Sequence, residues 1–373
     1  MGRIETQGRV RPMAVGDLDQ VAGLFLRNFR AGSCFDTSDF KTYVRDVFFD
    51  SSRYEEESGS IVYENAEGRI LASIFSMPLQ ITANGRIHNG RLMSFFMKDV
   101  DVSTRAIWSM CMQLRPHRHD FCFSDTANVV TRKIVLAGGG EELPLQSLKW
   151  RRLFRPAAHL ALKAARGLPG RPSRTAGALA GLCDPAIRRA ARALVPENAA
   201  GATSRAIEPS RFHWLAQEHL ARFSVHPTWS HAEFEWVLQQ ARKNRALGRC
   251  MIREVEDGNG NSLGGYLYFV NREGYAEVFN IVSAPGQECA VVGELMVHCD
   301  REGYVAAGGM NQPFLMSPLS EQKYVSFRHR GHFWIITRHP DIIDAVRRND
   351  IYIGGLASEA WSRLMTGFGR QAG

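Results

Sequence analysis

Nowhere does the chain carry an apolar run approaching the ~18 residues a membrane-crossing helix needs, and its opening, MGRIETQGRVRP, lacks the hydrophobic core of a secretion signal. A cytoplasmic protein is expected. There is no C-x-x-C pair: the seven cysteines, at 34, 111, 122, 183, 250, 289 and 299, stand singly, which argues against both a disulfide framework and a cysteine-ligated zinc site. Most lie in apolar segments, Cys122 in FCF and Cys250 in GRCMI, where a thiol behaves as a small hydrophobe. The motifs G-x-x-x-x-G-K-[ST], G-x-S-x-G and H-E-x-x-H are also missing, which removes the P-loop nucleotide-binding, nucleophile-elbow hydrolase and zinc-protease classes. Residues 117–120, His-Arg-His-Asp, read as a solvated turn between a helix and a strand, and no metal is expected.

What is present suits two domains of ordinary size: 373 residues, 45% hydrophobic and 23% charged. The net charge of +8 is uneven. Residues 149–205 hold twelve Lys/Arg against two acids, Asp184 and Glu197, a balance of +10, so the remainder is at −2. From residue 157 to 205 the composition shifts to Ala, Arg, Gly and Pro, with Pro169, Pro172, Pro185 and Pro196 dividing short helical pieces. Within them residues 187–194 form a basic helix whose apolar side is Ala-rich. Three readings of this stretch compete: a connector packed on both domains, a site for an anionic partner, and a membrane-surface helix.

Along the first half, residues 10–30 read as a strand and then a helix, with Asp17 as N-cap and Leu18, Val21, Ala22, Leu24, Phe25 and Phe29 in period. A helix over 40–49 follows. Strands at 61–63, 70–77 and 91–99 are joined by turns at Asn65-Ala66-Glu67-Gly68 and Asn84-Gly85, an antiparallel meander. At its end an apolar strand gives way to Asp99-Val100-Asp101-Val102-Ser103-Thr104-Arg105 and a helix. The first turn of such a helix has unpaired N–H groups and the positive end of the helix dipole, so a phosphate can be held there. Ser103 or Thr104 is the expected N-cap, and Arg105 adds a full positive charge. A strand at 120–123 and a helix at 127–136, ended by three glycines, come next, and residues 147–156 read as a strand closing the first domain.

The second half repeats this grammar: helices at 209–223 and 232–242, strands at 247–254, 263–270 and 275–282, a helix at 290–302 and a short strand at 304–307. The division that follows is 1–156, a connector at 157–205, and 206–373.

This order of elements resembles the GNAT (GCN5-related N-acetyltransferase) superfamily. The resemblance implies an α/β (α+β) architecture of two acyl-CoA N-acyltransferase folds in tandem, each a mixed, mostly antiparallel sheet flanked by helices. The family's pyrophosphate loop, Val-x-Pro-x-x-Arg-Gly-x-Gly-x-Gly/Ala, corresponds here to Val100-Asp101-Val102-Ser103-Thr104-Arg105-Ala106-Ile107-Trp108. Val100 and Arg105 match at the family's separation; Val102 replaces the proline, and Ala106 and Trp108 replace glycines. Trp108 either blocks close approach of phosphate to backbone or turns its ring away. In the second half the same place is Ser283-Ala284-Pro285-Gly286-Gln287-Glu288-Cys289, with one glycine and no arginine. The C-terminal half is similar to that of FemAB-like and BioF2-like double-GNAT acyltransferases, and Ile353-Gly354-Gly355-Leu356-Ala357-Ser358-Glu359-Ala360-Trp361 is similar to the Gly-Glu-Trp-Trp terminus of some of them.

By that resemblance the co-substrate is acetyl-CoA or another acyl-CoA. It is held by Val100, Val102, Ser103, Thr104, Arg105, Ala106 and Ile107, and Asp125 and Asn128 lie near the slot for its pantetheine arm. Read from the residues alone, Asp125 caps the following helix. Acyl transfer to an amine needs a base, donors for the thioester oxygen and an acid for the thiolate. Family members use a strand backbone amide as a donor, and the candidates for proton transfer are Asp99, Asp125, Glu277 and Tyr324. The acceptor is an amine of a sugar, an amino acid or another small metabolite. Two other readings stand beside this one: a non-catalytic binding protein with a decayed cradle, and aminoacyl transfer from a charged tRNA; DNA is not an expected partner.

Overall fold

The computed structural model describes residues 8–31, 35–113, 115–116, 119–165, 173–198 and 201–368. Cys34, His117, Arg118, Pro169 and Pro172 lie outside them.

In chain order the strands are β1 (Arg9–Pro12), β2 (Ile61–Glu64), β3 (Ile70–Ala83), β4 (Arg86–Lys98), β5 (Phe121–Ala127), β6 (Glu141–Glu142), β7 (Leu148–Leu153), β8 (Thr203–Ala206), β9 (Val225–Pro227), β10 (Arg249–Glu256), β11 (Ser262–Val270), β12 (Tyr275–Ser283), β13 (Ala306–Met310), β14 (Val325–His329) and β15 (His332–Thr337). The helices are α1 (Leu18–Phe29), α2 (Thr37–Phe48), α3 (Thr104–Met112), α4 (Val129–Ala137), α5 (Pro156–Ala165), α6 (Ser173–Gly181), α7 (Asp184–Ala190), α8 (Pro209–Leu220), α9 (His231–Lys243), α10 (Glu288–Arg301), α11 (Met316–Ser320), α12 (Pro340–Arg347) and α13 (Arg363–Thr366). None is long and apolar enough to cross a membrane among the described residues.

Two mixed sheets result. The first runs β1-β2-β3-β4-β5-β15-β6, with β9 added beside β3; the second runs β14-β7-β13-β12-β11-β10-β8. In each, an antiparallel meander meets one parallel neighbour, β4 with β5 and β12 with β13. The meander turns as its chemistry requires: Asn84 and Gly85 both take positive φ, 47° and 76°, between β3 and β4. This is the mixed α/β, GNAT-type architecture that the order of elements implies, present twice.

The halves exchange edges. Strand β7, expected to close the first domain, hydrogen-bonds instead to β13 and β14 of the second sheet. In return β15 pairs with β5 and β6 in the first sheet, and β9 with β3. The reason is visible in β7 itself, where Trp150 and Arg152 are buried and Lys149 ion-pairs with Glu277 of β12. Alternation fixes which face of a strand is buried but says nothing of which sheet edge receives it.

One core fills the space between the sheets. It combines Leu24, Phe25, Phe40 and Val44 of α1 and α2 with Phe212, Leu215, Phe234 and Leu238 of α8 and α9. It also takes in Phe75 and Met97 from the first sheet, Leu267 and Phe279 from the second, and Tyr352, Leu356, Trp361 and Phe368 from the C-terminal segment. Helices α3 and α4 cover the other face of the first sheet through Ala106, Met110 and Val135; α10 covers the other face of the second through Val291, Val292 and Leu295. The basic stretch is tied to the second sheet's side. Asp184 accepts from the N–H groups of Ala157 and Ala158 at the start of α5, and Arg155 and Arg188 both pair with Asp300 at the end of α10.

Candidate active site

Strands β4 and β5 pair only over Gly90–Phe121, Arg91–Cys122 and Leu92–Phe123, then part. Where they part, β4 carries an extra residue relative to β3, since Ser73 faces Met97 and Phe75 faces Ser94, and Phe95 takes a positive φ of 48°. Such a bulge re-aims backbone groups and side chains at a strand's edge. The second sheet has the same construction: β12 and β13 separate after Val278–Gly309, and β12 bulges at Phe279, between Val278 opposite Tyr268 and Asn280 opposite Leu267. Each sheet therefore opens a slot beside a bulge, and residues 351–361 run past both.

In the second sheet this segment is bolted to the slot. Asn280 Nδ2 donates to Tyr352 Oη at 2.9 Å, Asn280 Oδ1 accepts from the N–H of Leu356 at 3.1 Å, and Gln312 Nε2 donates to the carbonyl of Ile353 at 2.9 Å. Gly355, at φ +60°, packs so closely that a Cβ would sit 2.2 Å from the carbonyl oxygen of Phe279.

Four residues on, the same segment sets Glu359 into the first slot. Its carboxylate accepts from Ser94 Oγ on β4 and from Thr126 Oγ1 on β5, bridging the parted strands. Its N–H points at Asp125 Oδ1, 3.5 Å away, and the other oxygen of Asp125 takes both terminal nitrogens of Arg330 at 3.1 Å. Asp125 is fully buried and Glu359 is 2% exposed. Burial, and then the negative charge of Asp125, push the Glu359 carboxyl up to about 8, against the opposing pull of Ser94 and Arg330. A carboxyl held there is a proton acceptor matched to near-neutral pH.

Of the residues singled out from the sequence, Asp125 alone belongs to this cluster. It does not cap α4; Asn128 does, accepting from the N–H of Thr131 at 2.9 Å, and Asn128 thus stands at the end of β5 beside the slot. The loop between β4 and α3 follows the carboxyl end of β4, the same end of this parallel pair as Asn128. Ser103 is the N-cap of α3, accepting from Ala106 N–H at 3.1 Å; Val100, Thr104 and Arg105 are exposed, Val102 and Ala106 buried, and Ile107 partly packed against the sheet. Trp108 is 49% exposed and lines a groove between α3 and α4 with Cys111 and Ile134.

Asp99 faces the opposite way: although burial opposes it, the N–H of Val100 and the guanidinium groups of Arg27 and Arg69 hold its carboxyl below the usual range. Glu277 is paired to Lys149 and Tyr324 is a half-exposed turn residue at φ +60°, both on the second sheet and not in the cluster around Glu359. Ser94, Thr126 and Arg330 carry no motif spacing. Glu359 lies in the run Ile353 to Trp361, whose likeness to a Gly-Glu-Trp-Trp terminus includes it without giving it a role.

No protein-family model and no curated protein sequence matches the chain. Solved structures do. A probable N-acyltransferase from Enterococcus faecalis V583 is similar over 88% of this chain and 72% of its own, at 8% identity and a TM-score of 0.51. A GCN5-related N-acetyltransferase from Kribbella flavida is similar over 88% and 71%, at 13% identity and a TM-score of 0.51. Saccharomyces cerevisiae N-myristoyltransferase follows at 12% identity, a TM-score of 0.49, and coverage of 88% and 80%. These structural neighbours are N-acyltransferases, and the first two carry the same fold: the chain has the GNAT fold, in two copies.

Proposed function

We propose that the protein is an acyl-CoA-dependent N-acyltransferase whose reaction centre is the slot between β4 and β5, with Glu359 as the general base. The observation that carries this reading is the buried carboxyl of Glu359 held between Ser94 and Thr126, where the two strands part. The α3 N-terminus suits the donor's pyrophosphate: Ser103 caps it and Arg105 is exposed beside it. Its thioester arm enters from the α3/α4 face.

The acceptor amine comes from the inner face. There a cavity is lined by Met77, Leu92, Trp229, Trp236, Leu356 and Ala357 and rimmed by the Arg53–Glu233 ion pair. Its lining suits an amine with an apolar body, and the Glu233 carboxylate suits an ammonium group. Glu359 takes a proton from the ammonium, the free amine attacks the thioester carbon, and backbone N–H groups at the Phe95 bulge hold the developing oxyanion as the thiolate leaves.

In the second sheet, Asn280, Gln312 and Gly355 spend the corresponding slot on anchoring the chain, so that copy serves to position Glu359. Calorimetric titration with acetyl-CoA and longer acyl-CoAs, followed by a thiol-release assay over a panel of small amines, tests the proposal. Saturable donor binding with amine-dependent thiol release supports it. Absence of binding to every acyl-CoA overturns it.

A further inference from the structure

At the end of the first sheet opposite the slot, three side chains from distant parts of the chain converge. His88 lies on β4, Asp120 immediately before β5, and His339 immediately before α12. Asp120 Oδ1 is 2.9 Å from His339 Nε2, and Asp120 Oδ2 is 3.8 Å from His88 Nδ1. The two imidazole rings stand 4.5 Å apart, centre to centre. One donor atom from each of the three residues lies within 4.8 Å of the others.

We propose that His88, Asp120 and His339 form a binding site for a divalent transition-metal ion, Zn2+ by its donor set, which staples the start of α12 to β4 and β5. Two imidazoles and a carboxylate are the ligands Zn2+ takes alongside water, at about 2.0–2.2 Å, and side-chain movements of about an ångström would bring these atoms to that distance. The independent sign is His88. Its side chain is 9% exposed, its Nε2 is buried without a hydrogen-bond partner, and its Nδ1 stops short of Asp120. An imidazole so placed loses its hydration without recovering it, a cost that a metal ligand does not incur.

The carboxylate is already held in position. Asn89 N–H donates to Asp120 Oδ2 at 2.8 Å, and the Asp120 carbonyl accepts from Thr337 Oγ1 at 2.8 Å. Such support of a ligand by neighbouring donors is usual at metal sites. One group competes: Arg338 donates to Asp120 Oδ1 at 2.8 Å from a side chain that is 52% exposed, and it can swing into water when an ion arrives. The stretch His-Arg-His-Asp thus contributes its aspartate to a cluster, but with histidines 32 residues before and 219 after it in the chain, and His119 itself is buried rather than solvated.

The test is calorimetric titration of the chelator-treated full chain with Zn2+ alone, with thermal melting at each ratio and a parallel titration with Co2+ read by its visible absorption. One-to-one binding, a rise in melting temperature and tetrahedral Co2+ bands are expected. His88→Ala and His339→Ala should each weaken binding at least about tenfold. Arg338→Ala should tighten it, because it removes the competing guanidinium without touching a ligand. Absence of saturable binding to both wild type and Arg338→Ala overturns the proposal. So does binding that His88→Ala and His339→Ala leave unchanged, which would put the ion elsewhere.

Discussion

Glu359 and Asp125 put two carboxyl groups in one buried place, the first from a C-terminal segment and the second from β5, with Arg330 ion-paired directly to the second. Burial beside a second carboxyl biases Glu359 toward its neutral form, which suits proton transfer.

The rate of acyl transfer should therefore rise with pH through about 8, as Glu359 loses its proton. Glu359→Gln should lower kcat/KM by roughly 10²–10⁴-fold and abolish that inflection. The same group links pH to stability in the opposite sense. Because its folded value is raised, its contribution is complete below about 4.5 and is lost as pH rises toward about 8. The melting temperature of Glu359→Gln should then fall less than that of wild type across this window. Equal pH–rate profiles for the two proteins would dismiss Glu359 as the base.

Arg330→Leu leaves Asp125 buried without its cation. Removing one partner of a buried pair typically costs about 3–5 kcal/mol, so denaturant unfolding should move to markedly lower concentration. The double variant Arg330→Leu/Asp125→Leu should recover part of that loss. A single variant as stable as wild type would show that the Arg330–Asp125 pair does not hold the fold.

At the α3 N-terminus, Arg105→Glu sets a negative charge beside the proposed phosphate site. Donor affinity should fall more than about tenfold while the fold is retained, since Arg105 is exposed. Titration calorimetry decides this, and an unchanged affinity would mean that the phosphates sit elsewhere. Trp108→Ala is the control: its ring is half-exposed and lines a groove toward α4, so neither donor binding nor stability should change greatly.

Gly355→Ala tests the anchoring of the segment rather than its chemistry. A methyl group there meets backbone oxygen at 2.2 Å and the left-handed conformation disfavours it as well. Stability should fall, and activity should fall further than stability explains because Glu359 loses its position four residues on. Activity falling only in proportion to the folded fraction would separate the second slot from the first.

Much of the scaffold could be read from residues alone. The Asn84-Gly85 turn, the period of Leu18 to Phe25, and the apolar runs around Tyr266 and Phe279 each state a local rule that the fold obeys. What stayed hidden is non-local. Strand β7 alternates and β15 is a short apolar run buried on both faces, and only pairing partners far along the chain decide which sheet each one joins. Asp125 was visible as a polar residue at a strand end, but its partner Glu359 is 234 positions away, in a terminal segment whose motif likeness says nothing of which strands it meets. Asn128, not Asp125, takes the cap because its side chain is the one within reach of the N–H of Thr131.

The exchanged edges also govern how this protein can be made. During synthesis, the meander of the first sheet emerges early with β5 as a bare edge, and it remains so until residues 332–337 leave the ribosome. Domain-by-domain folding from the N-terminus is thereby denied to it. The proposed base comes later still, since Glu359 follows β15 in the chain. A product that stops before residue 359 would keep the proposed donor loop and lack the carboxyl that bridges Ser94 and Thr126.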